Sequence, residues 1–167
     1  EMLRDRKVDR IIYIRTVVES ASRSLGFLKG DESEKFAAYT LPLYEKLSEI
    51  TDKNTVNALF EQEYVKAMPV NFVRGLTFNN AVVIIDEAQN ATRSELTTIL
   101  TRFGRGSKYI ICGDAKQSDI KDSGFNTVFD LFNQPFSEKN NIYCHKFDIH
   151  DISRSAILKH ITQILSV

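Results

Sequence analysis

With 167 residues the chain has the length of one domain and enough material for a proper core. Its 43% hydrophobic and 26% charged residues are ordinary for an α/β protein, and 22 Lys+Arg balance 22 Asp+Glu, so no global basic field draws in nucleic acid. No apolar run reaches membrane-spanning length and no signal peptide is seen. Cys112 and Cys144, the two cysteines, lie in apolar runs without metal-ligand spacing and read as reduced core thiols of a cytoplasmic protein.

The chain opens EMLRDRKVDR, which reads as the tail of a helix with its cations in the last turn, where the dipole favours them. A strand is expected over RIIYI (10–14), followed by a short helix over 17–25. Asp31-x-x-Glu34 has the form of a capping box, opening a helix with Phe36, Thr40, Leu43 and Leu47 on one face. Pro42 should kink or restart that helix. Val56, Leu59, Phe60 and Tyr64 mark the next helix. AVVIID (81–86) then reads as a strand buried on both faces. Thr92-x-x-Glu95 caps a helix whose buried stripe is Leu96, Ile99, Leu100 and Phe103. KYIICG (108–113), read like AVVIID as a strand buried on both faces, and IYCHKF (142–147) are the last two expected strands. A final helix starts near Asp151 or Ser153 and buries Ile157, Ile161, Ile164 and Leu165. Strands alternating with helices predict a three-layer α/β fold with a mostly parallel sheet, forming a single domain over 1–167.

The stretch VVIIDEAQN (82–90) runs apolar residues straight into two acids, Asp86 and Glu87. A metal ion, a water held for chemistry, or a plain solvated loop each accounts for adjacent carboxylates at a strand end. Four apolar residues before Asp-Glu is the Walker B pattern, in which the first acid holds Mg²⁺, usually through water, and the second polarises the water that attacks a γ-phosphate. KYIICGDAKQ repeats the arrangement: apolar residues run into Gly113 and Asp114, with Gln117 three residues on. Gly-Asp alone is common turn chemistry. Two adjacent apolar strands ending in acid at one sheet edge, with Gln89 and Gln117 beside them, point to a phosphate site.

DEAQN, LTRFGRGSK (100–108), GDAKQSD (113–119) and RTVVESASRSLGFLKGD (15–31) together resemble the PhoH family of P-loop ATPases, kin to the superfamily-one helicases. YTLPLYEKL (39–47), NFVRGLTFNNA (71–81) and DISRSAIL (151–158) fit the family's blocks in order, almost end to end. The resemblance implies a RecA-like core that binds ATP and Mg²⁺. Asp86 would be the Mg²⁺-associated acid and Glu87 the catalytic carboxylate, with Gln89 and Gln117 as γ-phosphate or water sensors. Gly113 and Asp114 would line the nucleotide. Arg154 falls where the family keeps an arginine, suited to a transition-state clamp or, more plainly, to a surface helix start. Arg15, Thr16 and Arg74 lie where related motors touch nucleic-acid backbone. Arg102, Arg105 and Lys108 surround Gly104 and Gly106, either as an arginine finger for a neighbouring subunit or as a solvated helix end. Ring-like homo-oligomers and a link to RNA or single-stranded nucleic acid rest on the same analogy. His145, His150 and His160 have no metal-like spacing and read as structural.

No G-x-x-x-x-G-K-[ST] occurs in the sequence. The mid-element opening suggests a truncated core, with the first strand and phosphate loop upstream and EMLRDRK ending the phosphate-loop helix. That strand would lie between KYIICG and IYCHKF, so its absence predicts a gap of roughly 9.5 Å with unpaired edges. Two rival readings are a non-catalytic adaptor or nucleic-acid-binding module on the same fold, and a piece of a superfamily-one helicase. The intact DEAQ and GD-x-x-Q segments argue against the first, and the second needs another RecA-like domain.

Overall fold

The computed structural model describes residues 1–16, 32–153 and 155–165. The expected helix over 17–25, Asp31 of the capping box, and Arg154 lie outside them. Four parallel strands form one sheet in the order β2-β1-β3-β4. They are β1 (Arg10–Arg15), β2 (Val65–Pro69), β3 (Ala81–Asp86) and β4 (Lys108–Ile111). The described helices are α1 (Glu32–Ser48), α2 (Lys53–Glu61), α3 (Arg93–Leu100), α4 (Phe125–Phe132), α5 (Pro135–Glu138) and α6 (Ala156–Leu165). The chain forms two compact units, Glu1–Val128 and Phe129–Val167.

The first unit carries the sheet. Tyr13 of β1 lies opposite Ile84 of β3, and Arg15 opposite Asp86. Alternation therefore puts Ile11, Tyr13 and Ile84 on one face, where they pack with Leu43 and Leu47 of α1, Leu59 and Phe60 of α2, and Val65. Ile12, Ile14, Val83 and Ile85 leave the other face and are at most 3% exposed. Burying each such side chain contributes roughly 1.5–3 kcal/mol. Leu96 and Ile99 of α3 and Val73 are equally buried. The sheet is thus apolar on both faces, as the unbroken runs of β1 and β3 require.

Local chemistry sets the boundaries. Asp52 caps α2 by accepting from Thr55 N at 3.0 Å. The expected Thr92/Glu95 capping box is complete: Glu95 N donates to Thr92 Oγ1 and Thr92 N to Glu95 Oε2. α1 continues through Pro42 as one 17-residue helix, so the expected restart is not seen. A proline removes one backbone donor, and the neighbouring hydrogen bonds carry the helix past it. Residues 1–7 close like a helix end: Lys7 N donates to Met2 O and Arg6 N to Leu3 O, with Arg6 left-handed at φ 54°.

Several expectations need correction. Residues 142–147 form no strand; Tyr143 and Phe147 are 72% and 75% exposed. An apolar run becomes a strand only where a neighbouring strand pairs with it, and among the described residues none pairs with this segment. β2 was not anticipated, because VKAMP contains Lys66 and Pro69; both are tolerated on an edge strand. Tyr64 belongs to the entry into β2, its carbonyl accepting Ile11 N. Phe103 is 58% exposed and lies against Tyr109, with ring centroids 5.0 Å apart. In the second unit α6 is amphipathic as expected, but Ile157, Ile161 and Ile164 are 70%, 44% and 60% exposed. Cys112 is exposed rather than a core thiol, because the outer side of β4 is open; both cysteines are free.

Candidate functional site

Because all four strands run parallel, their carboxyl ends share one edge, where open α/β sheets present ligand sites. β3 ends at Asp86. Glu87 then turns left-handed (φ 55°, ψ 34°), an uncommon conformation for a residue with a side chain. The short 3₁₀ turn Ala88–Asn90 follows. β4 reinforces this turn through its own backbone: Cys112 N donates to Ile85 O at 2.8 Å and Ala88 N to Cys112 O at 2.9 Å.

Gln89 is the hub. It is 1% exposed, and its amide nitrogen donates to Glu87 Oε2 at 2.7 Å. Its amide oxygen accepts Asp114 N at 3.0 Å. Asp114 in turn receives Lys116 N at 3.0 Å and the Gln117 side-chain amide at 2.9 Å. Ser118 Oγ donates to Gln89 O at 3.0 Å, and Asp119 N to Asn90 Oδ1 at 2.8 Å. The DEAQN and GDAKQSD segments are therefore one hydrogen-bonded assembly. Gly113 fits closely within it: a Cβ there would stand 3.0 Å from Gln89 Oε1 and 3.1 Å from both Gln89 N and Phe125 Cε2.

β1 braces the same acids from the other side. Tyr13 donates its hydroxyl to Asp86 Oδ2. Burial, then the hydrogen bond to Asp86 and its charge, hold the Tyr13 phenol well above its usual range, so it stays a protonated donor. Thr16 N donates to Asp86 O at 3.1 Å, and the Thr16 hydroxyl donates to Glu87 O. Thr16 is 3% exposed, and these bonds make it a brace for the acid turn. Arg15 Nη2 lies 3.8 Å from Glu87 Oε1, a partly exposed pair of small energetic weight. Arg15 also lines a polar cavity of about 130 Å³ with Thr16, Pro69, Asn71, Asn90 and Glu95. The Cys112 thiol is raised by partial burial and by the Asp86 carboxylate.

Other candidates lie apart from this cluster. Arg74 is exposed in a turn closed by Leu76 N to Val73 O at 3.2 Å, with Gly75 at φ 78°. Arg102, Arg105 and Lys108 are at the amino end of β4, the edge opposite the acids. Their glycines have structural duties. A Cβ on Gly104 would meet Phe78 O at 2.2 Å, and Gly106 has φ 72°. The histidines 145, 150 and 160 are exposed, and no group of three or more His, Cys, Asp or Glu gathers around one point among the described residues. Tyr13, Asn90, Ser118 and Asp119 were missed in the sequence. The letters following each acid carried a signal for the last three.

An all-parallel α/β sheet with paired acid turns at one carboxyl edge is consistent with a RecA-like P-loop domain. The family model for PhoH-like proteins matches residues 1–166, and the chain belongs to that family. Protein PhoH of Escherichia coli K12 is 37% identical over 159 residues, covering 94% of this chain and 44% of its own length. The PhoH-like proteins of Synechocystis and Mycobacterium leprae are 41% and 33% identical, covering 72% and 95% of this chain. These alignments take in 36% and 45% of the two relatives, so the chain spans less than half the length of the curated proteins it matches.

Proposed function

We propose that the acid edge is the hydrolytic centre of an Mg²⁺-dependent ATPase, realised in the complete protein. The observation that carries this reading is the linked series Glu87–Gln89–Asp114–Gln117, which joins two strand ends into one polar surface. A purely structural domain has no need to brace carboxylates and amides this way at a sheet edge. Glu87 is set to accept a proton from a water, with Gln89 fixing its carboxylate and Asp114 orienting the Gln117 amide. Asp86 would hold Mg²⁺ through water, and the cation when bound would neutralise charge on phosphate oxygens.

These 167 residues carry no G-x-x-x-x-G-K-[ST] phosphate loop. β4 is the edge strand of the sheet among the described residues, with Ile110 41% exposed, and suits pairing by a further strand in the complete protein. This chain alone is therefore expected to bind ATP poorly; micromolar Mg·ATP affinity for these residues by themselves would contradict that. Arg15, Arg74 and the cavity beside Arg15 are the proposed contacts for RNA or another single-stranded nucleic acid. A cytoplasmic homo-oligomeric ring, with Arg102 or Arg105 reaching a neighbouring subunit and Arg154 meeting the triphosphate, completes the proposal. Phosphate release from ATP by the complete protein, with and without Mg²⁺ and single-stranded RNA, tests it. Mg²⁺-dependent release supports the reading, and no release under any condition overturns it.

A further inference from the structure

We infer that Tyr13 is a positioning residue for the acid edge, holding one oxygen of Asp86 so that the other is presented to a divalent cation or its water. This rests on the ATPase reading above. Tyr13 is 5% exposed, and its ring is anchored among Leu43, Val65, Leu59, Phe60 and Ile84. Cross-strand register explains how a residue in the middle of β1 reaches the end of β3. Tyr13 faces Ile84, and Asp86 follows two residues later on the same face. The hydroxyl donates to Asp86 Oδ2, and among the described residues no other side-chain or backbone donor is bonded to that carboxylate. Among those residues nothing donates to Oδ1, the oxygen a ligand would meet.

A buried tyrosine needs some acceptor for its hydroxyl, and Asp86 would satisfy that need without any functional consequence. The rest of β1 points further. Thr16, three residues on, clamps the backbone of Asp86 and Glu87, so one strand fixes both the carboxylate of the first acid and the turn that aims the second. Outer partners that orient a ligating carboxylate set its affinity for metal. The same ring contacts tie the setting of Asp86 to the packing of α1 and α2 against the sheet.

The test uses the complete protein, Mn²⁺ as the probe, and a non-hydrolysable ATP analogue, with Mn²⁺ affinity read by electron paramagnetic resonance. Tyr13→Phe should weaken Mn²⁺ binding roughly ten- to hundredfold, the scale of losing an outer partner hydrogen-bonded to a ligating carboxylate, while leaving metal-free analogue affinity unchanged. Asp86→Asn should weaken it more. Unchanged Mn²⁺ affinity in Tyr13→Phe, with Asp86→Asn impaired, overturns the inference and leaves the ATPase reading standing. Wild-type protein that binds neither analogue nor Mn²⁺ overturns the reading itself. An independent readout places 3-fluorotyrosine at position 13 alone: its ¹⁹F resonance should shift when Mg²⁺ joins the analogue complex, and an unmoved resonance counts against the inference.

Discussion

Gln89 accepts the backbone N–H of Asp114 at 3.0 Å while donating to Glu87 at 2.7 Å, so a single buried amide holds the turns after β3 and β4 together. Replacing Gln89 by Leu keeps much of the volume and removes both bonds, leaving Asp114 N without its partner. The expected loss of stability is about 1–3 kcal/mol, the penalty for an unsatisfied buried polar group. Urea denaturation of the variant measures it; a change below a few tenths would show that the amide bridge does not hold the turns.

Two glycines should respond differently to alanine, for different reasons. At Gly75 a Cβ meets nothing within 4 Å, but φ is 78°, so only the left-handed backbone opposes it. That strain costs about 1–2 kcal/mol. At Gly104 the Cβ would stand 2.2 Å from Phe78 O and 2.5 Å from Asn79 Oδ1, and backbone must move. Overpacking of this kind costs about 1–3 kcal/mol or more. Thermal unfolding should rank Gly104→Ala as the less stable variant, and the reverse order would contradict the close approach of the two backbones.

The letters revealed the strands that are continuously apolar and the turns that follow them. β1, β3 and β4 sit where their runs place them, and the acids, Gln89 and Gln117 converge as their positions after two neighbouring strands suggest. Tyr13, and the bracing contacts of Thr16, were hidden because their reach to Asp86 and Glu87 depends on strand register, a property of the pairing and not of sequence spacing. The same dependence misled the reading of 142–147, whose apolar letters lack a strand to pair with. β2 escaped notice because an edge position admits the Lys66 and Pro69 that disqualify an interior strand. Gly104 and Gly106 sit in a loop that reads either as an arginine finger or as a solvated helix end. They are explained by contacts with Phe78 and Asn80 at the other end of β4.

Tyr109 offers a pH-dependent check. Burial pushes its phenol up to about 12 from the usual 10, with Arg102 opposing, and among the described residues its hydroxyl has no hydrogen-bond partner. The folded chain therefore holds this proton more tightly than the unfolded one. The associated stability is fully present below pH 10 and is lost as pH rises towards 12. Tyr109→Phe should leave stability at neutral pH unchanged or slightly higher and should flatten this alkaline decline. Ultraviolet difference spectra of the two proteins should separate one tyrosine titrating near 12, and its appearance near 10 would show that the ring is solvated.

The central claim is that Glu87, presented by a left-handed turn and fixed by Gln89, activates water at this edge. Single-turnover hydrolysis of Mg·ATP by the complete protein carrying Glu87→Gln tests it most directly. The account predicts nucleotide binding close to that of the wild type and a rate lowered by about 10²–10⁴-fold, the range for loss of a general base. Hydrolysis within a few-fold of the wild-type rate would contradict it.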